Sequence, residues 1–160
     1  DRLIALNGWS NTDAMTRCRI GYSIFSQKLY EIAETSAVNI HSCVNASAQY
    51  AALQALTGPQ ECVEEMNQAF KKRATLMFTK LNEVKGINCQ KPNGAFYCFP
   101  NISNTNKNSM EVQNLLLDKI GVATVAGTSF GKYGENYIRL SCANSNDAIE
   151  EAISRMKNIF

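Results

Sequence analysis

The segment NGWSNTDAMTRCRIGY, residues 7–22, leads from the end of one apolar run into the next. RLIALNG (2–8) ends on Asn-Gly, and RCRIGYSIF (17–25) is rich in β-branched and aromatic side chains, so both runs predict short strands. A small hydroxyl side chain, Ser10, and an arginine followed closely by glycine, Arg19, belong to the same segment. The sequence therefore predicts two strands joined through a polar, turn-forming connection.

Helical patterns dominate the chain from there to residue 84. Three helices are predicted: one capped by Ser26 and running to about Thr35, one over 46–56 that is stopped by Gly58-Pro59, and one over 60–84. The last has apolar residues at helical spacing, namely Val63, Met66, Phe70, Met77, Leu81 and Val84. At about 1.5 Å per residue its 25 residues reach roughly 40 Å, enough to connect two domains.

Beyond Gly86 the pattern changes to short alternating elements. Strands are predicted over 87–90, 95–99, 122–127 and 137–143, helices over 110–120 and 146–160, and a polar loop over 101–109. In the last helix Ile149, Ile153 and Met156 are expected to face inward. The sequence thus predicts an α/β first third, a long connecting helix and a compact α+β unit.

The composition limits the kinds of partner that the chain is expected to bind. The chain has 160 residues, 45% hydrophobic and 19% charged, with a net charge of +2. Basic and acidic residues are interleaved, so no nucleic-acid partner and no membrane are predicted. The densest basic run, KKR at 71–73, is interpreted as a solvated helix face.

Cysteine usage predicts a reducing, cytoplasmic location. The six cysteines show no C-x-x-C spacing and the chain has one histidine, His41, so no metal site is expected. The cysteines are interpreted as reduced and mostly buried. Cys43 lies near His41, but nothing nearby completes a nucleophile relay, so a thiol nucleophile is not predicted.

GWSNTDAMTRCRIG (8–21) resembles the lysine signature of class I, fold-type I, pyridoxal-phosphate aminotransferases, in their aspartate aminotransferase branch. The resemblance continues in family order through AQYAALQALTGPQECVEEMNQAF (48–70), KPNGAFYCFPNIS (91–103), GVATVAGTSFG (121–131) and YIRLSCANSNDAIEEAISRM (137–156). It covers essentially the whole chain. In that family the lysine region lies past the middle of the protein, which implies that this chain corresponds to the C-terminal portion.

The resemblance implies a domain organisation and partners. Residues 1–59 correspond to part of the cofactor-binding large domain, 60–83 to the connecting helix and 84–160 to the small domain. Asp1 followed directly by an apolar run is expected to mark a chain joined in mid-domain. The implied partners are amino acid and 2-oxo acid substrates, and a second copy of the chain in a homodimer or the missing N-terminal half.

The resemblance also assigns site residues. Asn11 occupies the position of the family's lysine, whose amine bonds to the cofactor aldehyde and moves the substrate proton; a carboxamide is neither nucleophile nor base. No catalytic residue is therefore implied in this chain. Arg19 and Ser10 correspond to cofactor-phosphate contacts, with Asn11 beside them, and Arg139 to the arginine that binds the substrate carboxylate.

Alternatives stay open at each position. Asn11 marks an inactive site, a polar contact to a cofactor held without a covalent bond, or an engineered replacement. Arg19 and Arg139 have the alternative of structural ion pairs, and Lys28, the amine nearest to Asn11, is expected to face solvent. Three further departures from the family pattern, Arg17 and Cys18 for Gly-Trp and Ala126 for proline, indicate relaxed constraint, a damaged gene or a repurposed site.

Two functions are therefore compared. The first is the C-terminal portion of an aminotransferase for aspartate- or glutamate-like substrates, inactive by itself. The second is a degenerate, non-catalytic homologue that serves as a binding or dimerisation module. In either case residues 84–160 are expected to be the autonomous core, and the N-terminal third is expected to expose apolar faces that lack sheet partners.

Overall fold

The fold is a mixture of helices and short strands, seen in a computed structural model that describes residues 3–160. The described chain falls into two compact units, residues 3–65 and Met66–Phe160. The mixed architecture confirms the predicted α/β fold class. The finer division into 1–59, 60–83 and 84–160 stays a prediction.

The first unit begins with two antiparallel strands. β1 (Ala5–Gly8) pairs with β2 (Gly21–Ile24), and Gly8 lies opposite Gly21. A Cβ on Gly21 would lie 2.9 Å from the Asn7 carbonyl oxygen, which real Cβ contacts do not tolerate. The two backbones approach closely here because this position carries no side chain.

Both predicted strands are shorter than expected. The first was predicted from Arg2, which lies outside the described residues. The second was predicted from Arg17, but Thr16–Cys18 form a 3-10 turn and Arg19 has a φ of 49°, in the left-handed region. That reversal prevents extended pairing before Gly21.

Two helices complete the first unit. α1 (Gln27–His41) begins after Ser26 as predicted, although the Ser26 side chain makes no capping hydrogen bond. The helix continues past Thr35 because no glycine or proline interrupts it. His41 is thus the last residue of this helix, whereas the predicted helix limits leave it between two helices. α2 (Ala46–Thr57) starts at Asn45, whose side chain accepts a hydrogen bond from the Ala48 N–H at 3.1 Å, and it ends before Gly58.

The first unit has little core. Among its described apolar side chains, only Trp9, Ala48 and Ala52 are buried. Ten large apolar residues are more than half exposed: Leu3, Ile4, Leu6, Ile24, Ile32, Val38, Ile40, Tyr50, Leu53 and Leu56. The burial pattern agrees with the expectation that this part of the chain exposes apolar faces.

The long helix is α3 (Glu61–Leu81). It ends three residues before the predicted limit, and Val84 joins the core from the turn that follows. Met77 and Leu81 are buried, whereas Val63, Met66 and Phe70 are half-buried. The apolar spacing therefore identified the inward face correctly, although burial is complete only near the C-terminal end.

The second unit contains an antiparallel sheet of three short strands. β3 (Tyr97–Cys98), β4 (Val125–Ala126) and β5 (Ile138–Ser141) lie in the order β3-β5-β4. The strand predicted over 87–90 is reduced to one bridge between Asn88 and Asn101. The strand predicted over 122–127 is shorter because a 3-10 turn begins at Gly127.

Two helices pack with this sheet around one apolar core. They are α4 (Ser109–Ile120) and α5 (Asn146–Lys157). Ile149, Ile153 and Met156 are buried as predicted. The core also contains Leu81, Ile102, Val112, Leu116 and Ile138, each with an exposure of zero. Burying a side chain of this size stabilises the fold by about 1.5–3 kcal/mol.

Two glycines let backbone segments touch next to the sheet. Gly127 and Gly134 face each other so closely that a Cβ on either would overlap the carbonyl oxygen of the other. The Gly127 N–H also donates to the Tyr137 carbonyl oxygen at 2.8 Å. This contact fixes the turn Gly127–Phe130 against the start of β5.

A polar cluster closes the N-terminus of α4. The Glu135 carboxylate accepts hydrogen bonds from the Ser109 N–H at 2.9 Å, the Ser109 hydroxyl at 3.0 Å and the Asn136 N–H at 2.9 Å. Ser109 is fully buried, and its hydroxyl oxygen accepts from the Tyr137 N–H at 3.2 Å. These bonds, the Ser109 backbone N–H first, hold the pKa of the Glu135 carboxyl below its usual value.

The lowered pKa of Glu135 predicts a loss of stability in acid. Between the lowered pKa of Glu135 in the folded chain and its usual pKa in the unfolded chain, the unfolded chain binds more protons. The contribution of Glu135 to the free energy of unfolding is therefore complete above about pH 5 and is lost as the pH falls through the lowered pKa. Glu135→Gln is expected to flatten this fall, in urea titrations at several pH values. Glu150→Gln, an exposed carboxylate on α5, is the control and should leave the pH profile unchanged.

Candidate functional site

The polar connection between β1 and β2 brings Ser10 and Arg19 to a shared neighbour. The Thr16 hydroxyl donates to the Ser10 carbonyl oxygen at 2.7 Å, and Arg19 Nη1 donates to the Thr16 carbonyl oxygen at 3.1 Å. The Met15 N–H donates to the Trp9 carbonyl oxygen at 3.1 Å, which closes the loop. Two of the predicted cofactor contacts are therefore held in one small loop.

Asn11 lies exposed in the same loop. Its backbone carbonyl accepts from the Ala14 N–H at 3.4 Å, while its side-chain amide makes no hydrogen bond to the described residues. The amide nitrogen has no available lone pair, so this position offers neither a nucleophile nor a base. Lys28, on α1, is exposed as predicted.

The donor set fits one end of the family's cofactor. Within residues 3–160 no carboxylate lies within ion-pair distance of Arg19. The alternative interpretation, that Arg19 forms a structural ion pair, therefore has no support among these residues. A guanidinium and a serine hydroxyl are both donors that suit a phosphate dianion. The aldehyde end of pyridoxal phosphate would find a carboxamide at Asn11 where it needs an amine. The residues present therefore fit the phosphate and do not fit covalent attachment.

Arg139 belongs to the second unit and lies between two aromatic rings. Its guanidinium carbon is 4.4 Å from the centre of the Tyr97 ring and 4.7 Å from that of Phe130. The residue is half-buried on β5, and no described carboxylate forms an ion pair with it. Arg139 therefore lies on a strand, as predicted, and aromatic ring faces rather than an acid lie beside its charge.

The aromatic neighbours of Arg139 were missed from the sequence. The alternation of AFYCF (95–99) predicts a strand that buries one face; Cys98 is buried, and Tyr97 and Phe99 lie on the opposite face. The alternation of side chains along a strand is enough to predict that Tyr97 and Cys98 lie on opposite faces of the sheet. Tyr97 comes close to Arg139 because it pairs with Ser141, and that pairing can be known only from the register of the two strands.

Ala126, one of the departures from the family pattern, is well accommodated. Its N–H donates to Gln113 Oε1 at 2.7 Å, a bond that proline cannot make. The Arg17 side chain is exposed, so its charge is solvated rather than crowded, and Cys18 is half-buried.

The six cysteines differ in burial: three are buried, Cys18 is half-buried and two are exposed. Cys89, Cys98 and Cys142 are buried in the second unit, where hydrogen bonding to the Cys142 and Cys89 thiols and burial raise the pKa of Cys98. Cys43 and Cys62 are exposed, so the expectation of mostly buried cysteines is wrong for these two.

Across residues 3–160 no cluster of histidine, cysteine and acidic side chains is arranged to hold a metal ion. In the same part of the chain no helix is both long and apolar enough to cross a membrane.

Sequence comparison gives the chain its relatives. The family model for aminotransferase class I and II matches residues 1–156. A probable aspartate aminotransferase of Methanocaldococcus jannaschii is 40% identical over all of this chain and 43% of that protein. The aspartate aminotransferase of Pyrococcus abyssi is 38% identical over all of this chain and 41% of that protein. The chain therefore spans about two fifths of the length of these relatives.

Solved structures give the same result for the fold. An aromatic aminotransferase of Pyrococcus horikoshii is 37% identical and superposes with a TM-score of 0.95 over 99% of this chain and 43% of that one. An aspartate aminotransferase of Rhizobium meliloti is 30% identical, with a TM-score of 0.93 over 99% of this chain and 42% of that one. Since the family model spans nearly the whole sequence, this chain belongs to the aminotransferase class I and II family.

Proposed function

We propose that this chain is the C-terminal portion of a pyridoxal-phosphate-dependent aminotransferase, which moves an amino group from an amino acid to a 2-oxo acid with aspartate- or glutamate-like substrates. By itself the chain is inactive. One observation supports the proposal: Ser10, Asn11 and Arg19, to which the resemblance assigns the phosphate contacts and the lysine position, belong to one small connecting loop.

In this proposal each loop residue has a separate role. Arg19 and Ser10 hold the cofactor phosphate through charge-assisted hydrogen bonds. Bound pyridoxal phosphate supplies an aldehyde and an electron-withdrawing ring, the chemistry on which amino-group transfer depends. Asn11 contributes a polar contact only, so this chain has no group at that position to take or return the substrate proton.

Arg139 is proposed to bind the substrate carboxylate. Its guanidinium has no described acid partner, and its two described neighbours, Tyr97 and Phe130, contribute ring faces rather than a negative charge. A carboxylate matches the parallel N–H groups of that edge in a bidentate pair. Binding there would orient the amino acid or 2-oxo acid.

A second candidate is a binding or dimerisation module without catalysis. The ten large apolar side chains that the first unit exposes favour it, because a surface of this kind in a monomer marks an interface. The proposed partner is either the N-terminal portion that the relatives possess or a second copy in a homodimer.

Borohydride reduction in the presence of pyridoxal phosphate tests the proposal. We expect mass spectrometry to show no stoichiometric adduct at any single lysine, because Asn11 offers no amine. Dialysis should show weak retention of pyridoxal phosphate and less of pyridoxal, which lacks the phosphate. Arg19→Gln should abolish this difference, whereas Arg73→Gln, on α3, should preserve it.

Two results would contradict the proposal. A complete adduct at one lysine, such as Lys28, would show a relocated anchor. Equal retention of pyridoxal and pyridoxal phosphate would remove the phosphate role of Arg19 and favour the binding or dimerisation module. Analytical sedimentation would then measure whether that module self-associates.

A further inference from the structure

Strand pairing fixes which face of the sheet carries Arg139. In β5 the buried residues Ile138 and Leu140 alternate with half-buried Arg139 and Ser141. Tyr97 on β3 lies opposite Ser141, which puts it diagonally across from Arg139 on the same face. The proximity of this ring to the guanidinium therefore follows from the backbone register.

Phe130 reaches Arg139 from the opposite edge of β5. It ends the 3-10 turn that follows β4, the strand whose Val125 pairs with Arg139. Its ring meets the ring of Phe99 edge to face, with 6.1 Å between centroids. Because Phe99 in turn stacks on Tyr137 at 5.2 Å, Phe130 is supported by neighbouring rings as well as by its turn.

We infer that Tyr97 and Phe130 are positioning residues that hold the Arg139 guanidinium so that its edge receives a carboxylate. Both rings lie over the cation, at 4.4 and 4.7 Å from its central carbon, and attract it through their negative faces. Two such contacts restrict the rotation of the guanidinium, so its N–H donors keep one direction. A planar oxyanion approaching the edge then meets two parallel donors, which favours a carboxylate.

This inference rests on the proposed role of Arg139, and its test separates the two. The full chain is labelled with ¹⁵N-arginine, and the Arg139 Nε–H signal is assigned by its loss in Arg139→Lys. Succinate, a dicarboxylate without an amino group, is titrated in as the probe. Tyr97→Leu and Phe130→Leu remove one ring each, while Tyr97→Phe and Phe130→Tyr retain it.

Tyr133→Leu provides the matched control. The Tyr133 ring is 87% exposed and lies over Lys132 Nζ at 4.9 Å, so the same substitution there removes an aromatic–cation contact without touching Arg139. Urea unfolding of each variant establishes that the chain remains folded.

We expect the ring currents of the unchanged chain to displace the Arg139 signal from those of the other arginines. Each leucine variant at 97 or 130 should reduce this displacement and weaken succinate binding by about 3- to 10-fold. Tyr97→Phe, Phe130→Tyr and Tyr133→Leu should leave both unchanged. If the signal and the succinate affinity are the same in the leucine variants, the positioning role is overturned. If the signal is displaced as expected but succinate does not bind, the proposed carboxylate role of Arg139 fails instead.

Discussion

Gly127→Ala is expected to destabilise the Met66–Phe160 unit by at least the upper end of the ~1–3 kcal/mol that overpacking costs. The added Cβ would overlap the Gly134 carbonyl oxygen and lie 2.8 Å from the Tyr137 carbonyl oxygen. Both obstacles are backbone atoms, which cannot rotate away as a flexible side chain does. The turn that carries Phe130 would have to separate from the start of β5.

Urea titration measures this loss of stability, and amide hydrogen exchange at Leu116 and Ile138 measures it in the core of the unit. Gly94→Ala is the matched control, because a Cβ there has nothing within 4 Å. We expect it to change the free energy of unfolding by less than about 0.5 kcal/mol. Equal stability of the two variants would show that the contact between Gly127 and Gly134 opens at little cost.

Asn11→Lys is expected to have the largest effect on activity, provided that the rest of an aminotransferase is present. The chain aligns over 98% of its length with 41% of the Bacillus subtilis aspartate aminotransferase, to which it is 40% identical. We expect a chimera of that protein's preceding portion with this chain to be inactive. With Asn11→Lys it should gain at least the ~10²–10⁴ in rate that a positioned base contributes.

Asn11→Gln in the same chimera is the control, since it lengthens the side chain without adding an amine. Turnover is measured as 2-oxo acid formation from aspartate, and cofactor content by absorbance. If the folded lysine chimera retains pyridoxal phosphate but remains as inactive as the glutamine chimera, the carboxamide is not the limiting defect. Arg17 and Cys18, beside Arg19 in the loop, would then be the next positions to revert.

Local sequence signals located where the helices begin better than where they end, since α1 continues to His41 rather than to Thr35. The capping box of α4 joins Asn108 and Glu111, with the Glu111 N–H donating to Asn108 Oδ1 and the Asn108 N–H to Glu111 Oε2, both at 2.9 Å. Gly121 ends that helix with a φ of 66°. Such start and stop signals depend on neighbours in sequence, so they can be read without the fold.

Strand lengths and the surroundings of the site could not be read in this way. The apolar run at 122–127 contains only two residues of β4, because pairing stops where Gly127 turns toward Gly134. The resemblance identified Arg139, but its contact with Phe130 depends on a turn nine residues earlier in the chain. Contacts of this kind are set by the register of strands that are distant in sequence.

The separation of the cysteines makes this chain its own probe of local opening. Cys89, Cys98 and Cys142 all belong to the Met66–Phe160 unit and are buried, whereas Cys18, Cys43 and Cys62 belong to the first unit, where none is buried. An alkylating reagent reaches the buried thiols only when their core opens. Their modification rate therefore follows the opening equilibrium of one unit alone, and the rapid reaction of Cys43 and Cys62 in the same sample calibrates the reagent.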